Sequence, residues 1–112
     1  MPYVAKHRFA PISARKARLV VDTVRGLGVQ EALDLLAFQP QRAAVFTRQG
    51  IKSALANADE QEADVENLVV RTVRVDEGPS MKRVWARGRG RADTLKHRTC
   101  HIIVELDESG EE

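Results

Sequence analysis

Two runs rich in β-branched residues, 68–75 and 99–106, bracket a segment that no hydrophobic core could absorb. The segment, GPSMKRVWARGRGRADTLKHRTCH, carries Lys82, Arg83, Arg87, Arg89, Arg91, Lys96 and Arg98 against one acid, Asp93. Its apolar residues, Met81, Val84, Trp85, Ala86 and Leu95, are too few and too scattered to pack on one another. The flanking runs read as antiparallel strands, so the chain between them must leave the domain as a hairpin built from 82–87 and 94–98. Its tip falls at 88–93, where Gly88 and Gly90 permit a tight reversal. About nine residues separate Ser80 from the tip, a reach of roughly 30 Å at ~3.3 Å per residue. A two-stranded ribbon of that length is marginal in water by itself. It needs a partner, and its charge calls for a polyanion.

The net charge of +2 hides a strong segregation. Residues 1–18 hold Lys6, Arg8, Arg15, Lys16 and Arg18 with no acid, 19–78 lean acidic, and the end of the chain adds Glu105, Asp107, Glu108, Glu111 and Glu112. Such asymmetry points to a nucleic-acid surface shared by the N-terminal part and the arm, with the acidic parts facing elsewhere. The length suits one domain over 1–112, with an arm at 80–98 and an acidic, disordered tail at 107–112. Aromatic residues make up only 4% of the chain, so aliphatic side chains must fill the core.

Residues 3–9 alternate as a short edge strand, with Tyr3, Ala5, His7 and Phe9 on one face, closed by Pro11. Ser13 is placed to cap a helix running to about Arg25, where Gly26 and Gly28 stop it. Leu19, Val20, Val24 and Leu27 form its core stripe; Arg15, Arg18, Asp22 and Arg25 lie on another face. A second helix is expected over 29–38, burying Ala32, Leu33 and Leu36 before Pro40. A third runs over 41–58, with Ala44, Ile51, Ala54, Leu55 and Ala58 inward. Gly50 inside it costs about 1 kcal/mol relative to Ala unless a close helix contact requires it. Strands follow at 68–77 and 99–107, the second turning Ile102, Val104 and Leu106 to the core. The predicted fold class is therefore α+β, helices on a small antiparallel sheet with a long projecting hairpin.

Catalysis finds no support. His97 and His101 share a strand face but lie roughly 13 Å apart, and Cys100 points to the opposite face. A zinc site needs its donors near 2 Å from one ion. There is no phosphate loop and no HExxH pattern, and the acids at 59–64 lack ligand spacing. No metal or cofactor is expected. The lone cysteine forms no internal disulfide and fits a reducing compartment. No apolar run approaches the ~20 residues that span a bilayer, and the first residues lack a secretory signal. Cytosol is the default, and no membrane partner is expected. Trp85 reads two ways: stacked on an unpaired base, or packed across the ribbon near Leu95.

Three segments carry a resemblance to the bacterial large-subunit ribosomal protein family numbered twenty-two. They are SARKARLVVD from Ser13 to Asp22 continuing through Val24-Arg25-Gly26; SALANA from Ser53 to Ala58; and Gly78-Pro79, Lys82-Arg83, Gly90-Arg91-Ala92, Lys96, Arg98-Thr99 and His101-Ile102. The resemblance spans residues 3–106. It implies three helices on a three-stranded antiparallel sheet with an extended hairpin. It implies a structural part of the large ribosomal subunit that binds rRNA, supports assembly, and lines the peptide exit tunnel with its hairpin. The rRNA-binding residues would be Arg8, Arg15, Lys16, Arg18, Arg25, Lys82, Arg83, Trp85, Arg87, Arg89, Arg91, Lys96 and Arg98. The tunnel-facing tip would be Gly88, Arg89, Gly90, Arg91, Ala92 and Asp93. Partners would be large-subunit rRNA, neighbouring ribosomal proteins and the nascent peptide, with no homo-oligomer. Ala86 stands where the family often has Pro, and Cys100 where it has Ser. The competing reading is an architectural DNA-binding protein with a basic β-ribbon.

Overall fold

A computed structural model describes residues 3–86, 88–90 and 92–108. Strand β1 (Tyr3–Ala10) is followed by helices α1 (Ala14–Val21), α2 (Val29–Phe38) and α3 (Arg42–Glu60). Strand β2 (Leu68–Glu77), the ribbon strands β3 (Met81–Ala86) and β4 (Ala92–His97), and β5 (Cys100–Glu108) complete the chain. β5 is central in an antiparallel sheet of order β1-β5-β2, and β3 pairs only with β4. The α+β architecture with its hairpin is thus as the sequence pattern requires.

All three helices cover one face of the sheet. Ile102, Val104 and Leu106 of β5 point into that layer and are fully buried, as are Val70 and Val73 of β2. α3 can lie close over the sheet because of Gly50. A Cβ there would stand 3.3 Å from Val104 Cγ2, so the close neighbour is a strand rather than another helix. On the open face Ile103 is only 4% exposed, flanked in register by Lys6 and Arg74. Long cationic side chains can cover apolar surface in this way while their charges stay in water.

Several boundaries and faces differ from the sequence pattern. α1 ends at Val21 rather than near Arg25: beyond it Thr23 N–H and Val24 N–H bond to carbonyls three residues back. The chain then docks on the outer edge of β2: Gly26, at φ 86°, donates to Val70 O, and Val70 N–H donates to Leu27 O. Those two bonds satisfy backbone groups that an edge strand would otherwise expose. Leu19 is 71% exposed; the buried face of α1 is Ala14, Ala17, Val20 and Val21. Phe9 also leaves the face shared by Ala5 and His7. The register shifts between His7 and Ala10, and Phe9 takes a left-handed φ of 58°. This bulge buries Ala10 beside Cys100 and sends Phe9 to the open face, where its ring meets His101 edge-on at 4.9 Å. β5 continues through Glu108, two residues into the stretch read as a tail, while residues 109–112 lie outside the described residues.

The ribbon makes the molecule long. Its radius of gyration is 17.1 Å and its extents are 64 × 25 × 21 Å, whereas a compact chain of this length would have a radius near ~13 Å.

Candidate nucleic-acid interface

At its root the ribbon is tied to the body by backbone and hydroxyl groups. Gly78 N–H donates to Thr99 O at 3.0 Å, and the Thr99 hydroxyl donates to Pro79 O at 2.6 Å. A Cβ at Gly78 would lie 2.6 Å from Thr99 Oγ1 and 3.3 Å from the His101 ring. His101 is held from its other side, since its Nδ1 accepts the N–H of Phe9 at 3.0 Å. Gly78, Thr99 and His101 therefore fix where the ribbon leaves the sheet. Beyond them the register pairs Met81 with His97, Arg83 with Leu95 and Trp85 with Asp93. Alternation puts these six on one ribbon face and Lys82, Val84, Thr94 and Lys96 on the other. Only Leu95 is half-buried; Trp85 is 56% exposed.

The reversal is tighter than the expected tip. Arg89, at φ 64° and ψ 30°, and Gly90, at φ 74°, are consecutive left-handed residues, and they reverse the chain between the paired Ala86 and Ala92. Ala92 and Asp93 already belong to β4, with Asp93 opposite Trp85. Arg87 and Arg91, both assigned to RNA by the resemblance, lie outside the described residues.

α1 supplies the body's cations. Ser13 caps the helix by accepting from Lys16 N–H at 3.4 Å, which fixes the directions of Arg15 and Lys16; both are exposed. Arg18 and Arg25 are engaged differently. Arg18 donates to Val75 O at 3.0 Å, and Arg25 donates to Val73 O while pairing with Asp22. These two guanidinium groups fasten α1 and the following turn to β2. Arg8 lies exposed in the β1 bulge, 5.8 Å from the Phe9 ring centroid.

Between α1 and the ribbon root lie two adjoining clefts. One is lined by Arg15, Arg18, Glu77, Gly78 and Arg98; the other by Lys16, Arg42, Met81, Arg83, Lys96 and His97, with Ile12 at its floor. Arg42 opens α3 and escaped the sequence reading. Its only local signal is a position just after Pro40; its nearness to the ribbon is set by topology. The ion pairs among the described residues join Arg25 to Asp22, Arg71 to Asp107 and Arg74 to Asp76. Arg15, Lys16, Arg42, Lys82, Arg83, Lys96 and Arg98 enter none of these pairs; the Arg42 guanidinium lies 5.7 Å from the centroid of the Phe46 ring on its own helix. Glu77 is the one acid lining either cleft.

Cys100 is fully buried. Desolvation raises its thiol pKa, partly opposed by the charge of nearby Arg18, so it is poorly suited to nucleophilic work. Among the described residues no group of three His, Cys, Asp or Glu side chains could hold a metal ion.

A small α+β body with a basic β-ribbon and a cationic cleft at the junction belongs to the class of structural nucleic-acid-binding proteins. Within that class the family model for ribosomal protein L22p/L17e matches residues 5–107, and the chain belongs to this family. It is a structural protein of the large ribosomal subunit that binds rRNA and serves translation.

Proposed function

We propose that the protein joins the large subunit by gripping rRNA with two surfaces at once, the ribbon and the α1 side of the body. In doing so it supports folding of the subunit, while the turn at Gly88–Gly90 lines the peptide exit tunnel and meets the nascent chain. The observation that carries this reading is the ribbon itself: β3 is exposed throughout and β4 everywhere but Leu95. Two strands with so little burial have no reason to persist unless a partner covers them, and their cations select phosphate. The protein acts by binding and not by catalysis, works as one copy among neighbouring ribosomal proteins, and resides in cytoplasmic ribosomes. Family membership favours RNA over DNA as the polyanion.

Sedimentation tests the assembly claim. The protein should travel with large subunits through a high-salt sucrose gradient, and retention at the top of the gradient would contradict it. A photo-crosslinker in place of Gly88, where an added side chain meets nothing within 4 Å, tests the tunnel claim in ribosomes stalled on a nascent peptide. A crosslink to that peptide is expected; crosslinks to rRNA alone would move the turn out of the tunnel.

A further inference from the structure

We infer that the cleft at the ribbon root is an RNA-strand site in its own right, closed from the body side by Arg42. This rests on the rRNA-binding reading above and adds to it a residue and a place. Arg42 on α3, Lys16 on α1, Arg83 on the ribbon and Arg98 at its root line one groove although they come from separate parts of the chain. Mutual repulsion of four cations around a shared groove costs free energy, and none of them enters an ion pair among the described residues. An anionic strand running through the groove would remove that cost.

The groove is not purely ionic. Met81 and His97 face each other across the ribbon register and line the groove together with Ile12. Phosphates can meet the four cations while a sugar or an unpaired base lies against this apolar floor. That is the chemistry of a single-strand groove rather than of a duplex surface, where phosphate contacts suffice. The same ribbon face continues outward through Arg83 to Trp85, so a strand seated in the cleft is led toward the one tryptophan of the chain.

The test compares full-length variants for binding to protein-free large-subunit rRNA over a range of salt concentrations. Arg42→Gln should lower the magnitude of the log K against log salt slope by about 0.7, the value for one phosphate contact on a single strand. Arg42→Lys, which keeps the charge, should restore it. Arg74→Gln removes a charge from the open sheet face, beside Asp76, and should leave the slope alone. An Arg42→Gln slope equal to that of the parent, in a parent that binds rRNA with strong salt dependence, overturns the cleft site and leaves the general function standing. A parent without salt-dependent rRNA binding overturns both. Trp85 fluorescence provides a second readout: quenching by poly(U) but not by a blunt RNA duplex supports a strand site, and equal quenching by both contradicts it.

Discussion

At Gly78 the ribbon root leaves no space for a side chain, because a methyl group would press on Thr99 Oγ1 and the His101 ring. Gly78→Ala should lower stability by about 1–3 kcal/mol, the usual range for forced overpacking, seen as a lower urea midpoint at unchanged slope. Arginines of one helix divide by what they touch. Arg18 bonds a strand carbonyl, and losing a charged hydrogen bond costs about 1.5–3 kcal/mol. Arg18→Met should therefore lower the melting temperature by several degrees, whereas Arg15→Gln should leave melting alone and weaken rRNA binding. Equal melting of the two variants would refute the distinction. Sequence alone placed both in one cationic stripe, since helical periodicity gives a direction but not the carbonyl waiting there. Asp107 adds a pH effect. Its carboxyl is held below the usual aspartate range, first by the Glu108 N–H and then by Arg71. A carboxylate with a depressed folded pKa stabilises the fold above its unfolded value and loses that contribution as pH falls. Asp107→Asn should flatten the decline in melting temperature below about pH 4, and an unaltered acid limb would argue against it.

Among the elements, the boundaries of α2 and β2 were legible to the residue, since Gly28, Pro40 and the alternating Val run mark them locally. The end of α1 and the face of Phe9 were not. Both are decided by partners distant in sequence: Val70 draws Gly26 onto the edge of β2, and His101 receives the Phe9 N–H. Leu19 was misplaced because Ala14 and Ala17, small enough to let the helix approach the sheet, set the buried phase instead. The ribbon was legible as a hairpin from its charge and glycines, yet its turn is shorter than the tip first drawn. Replacing 81–97 by a short turn should leave a body that melts cooperatively, because the core cluster contains no residue of β3 or β4. Loss of cooperative melting would show that the ribbon supports the core after all.

At the scale of the whole molecule, function follows from the joining of two parts that differ in kind. The body is held by an aliphatic core on one side of its sheet; the ribbon contributes nothing to that core and is exposed except at Leu95. Basic composition made the polyanion legible from sequence, but the cleft was not, because Arg42 and Arg83 line one groove only through the fold. The central claim is that body and ribbon hold the same rRNA together, and salt dependence measures it most directly. Binding of the full chain to large-subunit rRNA should show a log–log slope of magnitude about 6, from Arg89 and the seven cations around the cleft and ribbon that enter no ion pair among the described residues, at roughly 0.7 each. The variant with 81–97 replaced should lose about half of that slope and retain the rest. A slope unchanged by removal of the ribbon, or abolished by it, would contradict the account.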